Sequence, residues 1–143
     1  MKRKIIFLVL IQILILGCKS GSFTRVPEKD KIITYEVTYT IPDSQAYKLS
    51  RLWIAENFNS AKDVITFEDA DLGIITGRFN TQVFFAIQPA TAWLNFKMTI
   101  KDNKSVLVFS NITINKSTIE YENQRNEIVQ KTDALYDSYK KIF

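Results

Sequence analysis

The chain has 143 residues, enough for one domain with its own core, and its pI is near 9.1. Three of its 19 basic residues, Lys2, Arg3 and Lys4, stand at the N-terminus, and the chain beyond them is close to neutral, so the pI does not argue for nucleic-acid binding. The sequence contains no histidine and one cysteine, which removes the commonest general base and metal ligand and excludes an intramolecular disulfide.

The N-terminal segment has the pattern of a bacterial lipoprotein signal. Residues 5–16 are apolar apart from Gln12, and this run is shorter than the roughly 20 residues that a membrane-spanning helix needs. The run ends in Leu16, Gly17 and Cys18, which resemble a lipobox with Cys18 as the acylated residue. The alternative interpretation is a buried N-terminal helix that carries a cysteine by chance.

The resemblance to a lipobox implies a division of the chain at Cys18. Residues 1–17 would be the cleaved signal, residues 18–31 the lipidated N-terminus and tether, and residues 32–143 the domain. Two or three acyl chains hold a protein on a membrane lastingly, whereas one chain holds it only marginally. Lys19 stands where an aspartate would retain a lipoprotein in the inner membrane, so we expect the outer membrane and a domain that faces the periplasm.

The domain opens with a predicted strand and helix. Residues 32–41 alternate apolar and polar side chains, which is the pattern of a half-buried strand. Pro42 ends this strand, and Asp43 or Ser44 is expected to cap the helix that follows. This helix is predicted to continue to about Phe58.

Four further strands are predicted from alternation and turn residues. The second of them, predicted over residues 73–87, is longer than strands usually are, so Gly77 is expected to mark a bulge or a sharp bend. On the last strand, alternation assigns Val106, Val108, Ile112 and Ile114 to the inward face. The strands are 64–68, 73–87, 92–101 and 105–115, with turns at 69–73, 89–90 and 102–104.

A final helix is predicted after the last strand. Residues 117–120, Ser-Thr-Ile-Glu, have the pattern of a capping box that opens it. Because Arg125 and Thr132 weaken its apolar seam, packing on the sheet is favoured over a coiled coil. The apolar stripe recurs every seven residues at Tyr121, Ile128, Leu135 and Ile142.

The predicted order of elements is β-α-β-β-β-β-α. Hairpin connections between consecutive strands make the sheet antiparallel, and the apolar stripes of both helices need one sheet face to pack against. We therefore expect an α+β fold, with a single antiparallel sheet of about five strands and two helices on one face.

Several short segments are similar to a known bacterial family. They are 53–62 with the sequence WIAENFNSAK, 64–69 with VITFED and 73–77 with GIITG. These segments resemble a domain family of unknown function that is described as having a TBP-like (TATA-box-binding-protein-like) fold. The resemblance covers roughly residues 32–139 and implies the fold and a secreted or lipidated setting. It supplies no activity and no site residues, and the name of the fold does not imply DNA binding.

The sequence contains no recognisable catalytic motif. Glu68, Asp69 and Asp71 faintly suggest a calcium loop. The spacing fails, because Gly73 and Asn80 stand where two further ligands belong, so a solvated turn between strands is favoured. We therefore expect no enzyme activity, no metal site and no cofactor.

The sheet face opposite the helices is the predicted interaction surface. Its assigned aromatic and apolar residues alternate with polar ones such as Arg78, Asn95 and Thr99, and grouped exposed aromatics often mark a binding surface. The alternative is that loops, the tether or a second copy of the chain cover this face. The residues of the predicted surface are Phe84, Trp93, Lys97, Leu107 and Phe109.

Two hypotheses of function follow from these predictions. The favoured one is a lipid-anchored, non-catalytic module that binds a protein partner of the cell envelope through the open sheet face. The second is a carrier of a small apolar ligand held between sheet and helices and lined by Tyr35, Tyr39, Tyr47 and Phe79. An enzyme ranks third, and the oligomeric state is left open.

Overall fold

The computed structural model of the chain describes residues 24–58, 61–85 and 88–143. The predicted signal peptide, Cys18 and the first part of the tether lie outside these ranges. The described residues form six strands, two long helices and two short helical segments. The strands are β1 Ile33–Thr38, β2 Ile65–Asp69, β3 Ile74–Phe85, β4 Gln88–Lys101, β5 Lys104–Ile114 and β6 Ser117–Thr118; the helices are α1 Asp43–Asn57, α2 Ala61–Val64 and α3 Glu122–Lys140, with a 3₁₀ turn at Glu28–Lys31.

All strand pairings in the sheet are antiparallel. The strand order is β1-β5-β4-β3-β2, and β6 pairs with the end of β5 on the side of β1. Helices α1 and α3 lie on the same face and contact each other, since the Trp53 indole N–H donates to Ser138 Oγ at 2.9 Å. The predicted α+β architecture, an antiparallel sheet with two helices on one face, is confirmed.

The core lies between the two long helices and the sheet. The side chains at even positions from 90 to 100 of β4 are buried, as alternation along a half-buried strand requires. Tyr139 of α3 is 1% exposed, and its hydroxyl lies 2.7 Å from the hydroxyls of Ser50 in α1 and Ser105 in β5. One buried phenol thus links both helices to the sheet.

Helix α1 begins directly after Pro42, but Asp43 does not serve it as the expected cap. The Asp43 carboxylate accepts hydrogen bonds from the Tyr39 hydroxyl at 2.8 Å and from the backbone N–H groups of Asp102 and Asn103 at 3.0 and 3.1 Å. Asp102 and Asn103 have φ angles of 56° and 59°, as the two-residue hairpin turn between β4 and β5 requires. Asp43 therefore fixes the hairpin to the start of α1.

Strand β3 runs unbroken through Gly77, and the predicted irregularity lies in its partner strand. The register shifts between Ile65 and Phe67 of β2, opposite Gly77. A Cβ atom at position 77 would lie 2.4 Å from Phe96 Cε1 and 2.4 Å from the carbonyl oxygen of Val64. Close packing on both sides of β3 therefore requires glycine at this position.

The predicted turn at residues 89–90 is wrong, because both residues lie in β4. Pro89 pairs with Phe84 of β3, whereas pairing with β5 begins at Ala92. The single N–H that proline lacks would point to the β5 side of β4 at this position, as that of Thr91 does, and β5 is not yet alongside. No ladder hydrogen bond is lost, and the strand extends through the proline.

The predicted inward positions Val106 and Val108 of β5 are wrong. Leu107 and Phe109 are each 1% exposed and belong to the core, whereas the later inward positions of this strand are as predicted. The phase changes at Asn111, which has a φ of 48° and lies where the register between β4 and β5 shifts. A bulge inserts one residue and reverses the alternation of side chains beyond it.

The final helix begins later than predicted. Residues 117–120 do not open it, because Ser117–Thr118 forms β6 after a tight turn in which Asn115 and Lys116 have φ angles of 49° and 72°. The first turn of α3 is instead held by Gln124, whose side-chain oxygen accepts the N–H of Tyr121 at 3.2 Å. The predicted packing of this helix on the sheet is confirmed by its buried inward side chains.

Candidate functional site

The open face is the side of the sheet opposite α1 and α3. Cross-strand pairing places Thr76, Lys97 and Val108 in one row across β3, β4 and β5. Arg78 and Asn95 form the neighbouring row. Side chains in these rows are half-buried or exposed, and most are polar or β-branched. The face is therefore a mixed polar surface rather than a hydrophobic one.

Three of the five predicted surface residues lie on the open face. Phe84 is 63% exposed, Lys97 is exposed and Trp93 is half-buried. Leu107 and Phe109 lie in the core, so their assignment to the interaction surface is wrong; the bulge in β5 is the physical reason.

The three correctly placed residues do not form the expected cluster. Phe84 lies opposite Pro89, whereas Trp93 lies opposite Asn80 on β3 and Thr113 on β5. Phe84 and Trp93 are thus separated along the strands and are not cross-strand neighbours. The two aromatic residues of the predicted surface that lie on this face are therefore not grouped as expected.

Trp93 has a cationic partner that sequence reasoning did not pair with it. The guanidinium carbon of Arg78 lies 4.8 Å from the centroid of the Trp93 ring, within the range of a cation–π contact. Arg78 pairs with Asn95, two residues along β4 from Trp93, so the two side chains are diagonal neighbours on the same face. A correct register between β3 and β4 would have been enough to predict this contact.

A shallow basin of about 410 Å³ lies in the middle of the open face. Its walls offer two cations, three hydroxyl groups and one amide, a set that suits hydrogen bonding to carboxylates or other oxygen-rich groups. The Thr66 and Thr76 hydroxyls lie 3.2 Å apart. The basin is lined by Thr66, Thr76, Gly77, Arg78, Asn95, Phe96, Lys97 and Ser110.

The two cations of the basin have no acidic partner within the described residues. Glu36 is the acidic side chain at the β1 end of this face, and it pairs with Lys104 at 3.0 Å. Arg78 and Lys97 form no ion pair with any residue in the described ranges. The basin therefore carries a positive charge that an anionic group of a partner would neutralise.

Phe67 extends the open face at the β2 edge. It is 52% exposed and pairs with Thr76, so it lies on the same side of the sheet as Lys97. Sequence reasoning missed it, because the bulge next to Phe67 breaks the alternation of a five-residue strand. An exposed phenylalanine beside a cationic basin is a common composition for a protein-binding surface.

The residues proposed to line an internal ligand cavity pack against other side chains. Tyr35 stacks on Tyr136 with a centroid distance of 4.6 Å, and Tyr39 stacks on Phe143 at 5.0 Å. Phe79 lies 4.7 Å from the Phe58 ring. These contacts occupy the space around Tyr35 and Tyr39, whereas Phe79 also lines two clefts beside β3.

Hydrogen bonds of the Tyr35 hydroxyl connect β1 to α3. Its hydroxyl donates to Asp133 Oδ1 at 2.6 Å and lies 2.8 Å from Thr132 Oγ1. Burial of the phenol, together with its bond to the Asp133 carboxylate, raises the pKa of Tyr35 to about 12. The phenol therefore stays neutral across the physiological range and ties β1 to α3.

The acidic turn between β2 and β3 has a structural use. Asp69 Oδ1 accepts the backbone N–H groups of Asp71 and Leu72 at 3.0 and 2.9 Å, which stabilises the turn. Glu68 pairs with Arg51 of α1 at 2.8 Å. Across residues 24–58, 61–85 and 88–143, no group of three acidic or sulfur-bearing side chains is arranged to hold a metal ion.

No helix within the described ranges is both long enough and apolar enough to cross a membrane. The arrangement of this part of the chain, an antiparallel sheet with two long helices on one face, is that of a TBP-like α+β domain.

The family of the chain follows from a match to one family model. The model for a domain of unknown function, DUF4468, with a TBP-like fold matches residues 35–115, which is more than half of the chain. The chain therefore belongs to the DUF4468 family. None of the curated proteins compared with the chain matches it.

Two solved structures have a similar fold. A DUF4468 family protein from Bacteroides ovatus is 17% identical, with a TM-score of 0.57 over 82% of this chain and 87% of that one. A TBP-like protein from Parabacteroides distasonis is 9% identical, with a TM-score of 0.64 over 78% of this chain and 90% of that one. At these identities the likeness shows the fold alone.

Proposed function

We propose that this protein is a lipid-anchored, non-catalytic binding module of the cell envelope. In this proposal Cys18 carries the acyl chains, and the domain uses the open face to bind an envelope protein with an acidic surface. The observation that carries the proposal is the cationic basin, in which Arg78 and Lys97 have no acidic partner within the described residues.

The composition of the open face supports a protein partner. Phe67 and Phe84 offer exposed aromatic area at two edges of the face, and Arg78 covers the Trp93 ring near its centre. Aromatic residues and arginine are the residue types that contribute most to protein interfaces. The filled interior around Tyr35 favours this function over an apolar-ligand carrier.

The anchor rests on the sequence of the first 18 residues. The basic start, the apolar run and the single cysteine at its end coincide, and a lipidated cysteine accounts for each of them. Lys19 favours the outer membrane with the domain in the periplasm. A domain held at a membrane meets its partner at high effective concentration, so a modest intrinsic affinity is sufficient.

Reversing the charge of one basin residue tests the use of the open face. We expect Lys97→Glu to reduce recovery of the partner from solubilised envelopes several-fold, because a rim charge of the wrong sign opposes an acidic surface. Lys48→Glu makes the same change on the exposed side of α1 and should leave recovery unaltered. Equal recovery with both variants would show that the open face is not the binding surface.

A further inference from the structure

One edge of the sheet is left open part of the way along β3. Strand β2 pairs with β3 only as far as Gly77, because the chain before Ile65 is folded into the short helix α2. From Arg78 to Phe85, β3 pairs on one side, with β4, among the strands that the structure describes. Most of this 12-residue strand therefore has a free edge.

The backbone of this edge presents groups suited to pairing with another strand. The N–H of Phe84 points away from β4, since it lies 3.4 Å from Glu127 Oε1 of α3. Backbone groups two residues apart on a strand point to the same side, so those of Arg78, Asn80 and Gln82 face the free edge as well. Within the described residues, Asn80 and Gln82 have no strand partner on that side, whereas the bridge between Ile65 and Gly77 places the Val64 carbonyl beside the backbone of Arg78.

The edge lies along a groove rather than on a flat surface. Two adjoining clefts of about 340 and 300 Å³ share Phe58, Phe79, Asn57 and Asn80. Their inner wall is apolar, and α3 forms the far side. The remaining lining residues are Asp63, Val64, Arg78 and Trp93 in one cleft, and Thr81, Lys131, Ala134, Leu135 and Ser138 in the other.

The two sides of the groove differ in chemistry. On the inner side, Phe58, Phe79 and Leu135 favour apolar side chains. On the outer side, Arg78 has no ion-pair partner within the described residues and favours a carboxylate. An extended segment presents alternate side chains to these two sides, so an alternation of apolar and acidic residues fits both.

We propose that the β3 edge from Arg78 to Phe84 accepts an extended segment of a protein partner as an additional strand. The segment carries apolar side chains towards Phe58 and Leu135 and carboxylates towards Arg78. The two clefts between α2 and α3, of about 340 and 300 Å³, suit a single extended segment better than a second globular copy of the chain. This inference goes beyond the proposed function, because its central contacts are to the β3 backbone rather than to the basin side chains.

A defined peptide tests the proposal directly. The probe is a capped peptide of about seven residues that alternates glutamate with valine or isoleucine, and its counterpart replaces glutamate with lysine. We expect the acidic peptide to slow amide hydrogen exchange at Asn80 and Gln82. The lysine peptide should bind about tenfold more weakly, because it places like charges beside Arg78.

Two variants locate the binding site. Asn80→Pro removes one donor from the free edge while keeping the ladder to β4, and it should weaken binding of the acidic peptide at least about tenfold. Ala134→Trp fills the groove from α3 and should have a similar effect. Ala55→Trp, which places the same side chain at an exposed position of α1, is the control and should bind as the wild type does.

Three results would overturn the proposal. They are no binding of the acidic peptide at about 1 mM, unaltered binding to Ala134→Trp or to folded Asn80→Pro, and exchange protection at Thr76 and Lys97 in place of the β3 edge.

A concentration-dependent dimer that Asn80→Pro abolishes would identify a second copy of the chain as the occupant instead. If Asn80→Pro does not fold, peptide binding to Ala134→Trp and the pattern of exchange protection decide whether the peptide binds at the β3 edge. Loss of partner binding in Lys97→Glu with intact peptide binding would separate this site from the open face.

Discussion

At the scale of single residues, Tyr139 holds the domain together through its hydroxyl. It is buried between α1, α3 and β5, and burial raises the pKa of its phenol, while bonds to Ser105 and Ser50 oppose that rise. The phenol remains neutral and hydrogen-bonded at physiological pH.

Tyr139→Phe should lower the free energy of unfolding by about 1–3 kcal/mol, because the Ser105 hydroxyl is left buried without its partner. Urea unfolding followed by circular dichroism measures the change. Tyr136→Phe is the matched control, since its hydroxyl is half-exposed and water can replace it at the Glu36 carbonyl. An equal loss in both variants would contradict the role assigned to Tyr139.

Asp43 should make the free energy of unfolding of the domain depend on pH in the acidic range. Its bond from the Tyr39 hydroxyl, followed by the backbone N–H of Asn103, holds the pKa of its carboxyl below the usual value. A group with a lowered folded pKa contributes stability above its unfolded pKa of about 3.9, and this is lost as pH falls through the folded value. The stability difference between wild type and Asp43→Asn should therefore shrink as the pH falls below about 4. A difference that is constant from pH 7 to about pH 2 would refute this linkage.

At the scale of elements, the phase of β5 decides which residues belong to the core. Phe109→Ala should lower the free energy of unfolding by about 3–5 kcal/mol, because it opens a cavity beneath the helices. Val108→Ala, one residue away on the open face, should cost less than about 1 kcal/mol. Thermal or urea unfolding of the two variants measures these losses. A larger loss in Val108→Ala than in Phe109→Ala would contradict the burial of Phe109 and support the regular alternation that the sequence predicts.

Regular alternation made most of the fold predictable. The inward faces of β1, β3 and β4 follow from a period of two, and the two helices follow from their apolar stripes. Prediction failed where one residue altered the period. Asn111 inserts the bulge in β5, and Pro89 stands in a strand because β5 is not yet beside it.

The candidate site was predicted less well than the fold for the same reason. The bulge at Asn111 moved Leu107 and Phe109 from the surface to the core. The Arg78–Trp93 contact depends on the register between β3 and β4, and the wrongly placed turn at residues 89–90 gives a different register. The alternation of side chains along each strand was therefore enough to locate the open face, whereas the register between strands determines which side chains contact each other on it.

At the scale of the whole molecule, the proposed lipid anchor at Cys18 would place the domain in the cell envelope. In cells grown with labelled palmitate, the wild-type protein should take up the label and sediment with membranes, because two or three acyl chains give lasting attachment. Cys18→Ser should remain unlabelled, whereas Ser20→Ala should behave as the wild type does. Equal labelling of Cys18→Ser would rule out lipidation at this residue.

In the proposed function the open face contacts a partner in the envelope, and site-specific photocrosslinking in living cells can detect that contact. A photoreactive amino acid at Thr99, beside Lys97 on the open face, should crosslink to one envelope protein, and Lys97→Glu should reduce that product several-fold. The same amino acid at Lys48, exposed on α1, should not yield it. Identical products from both positions, or none from Thr99 at any level of expression, would contradict the proposed function.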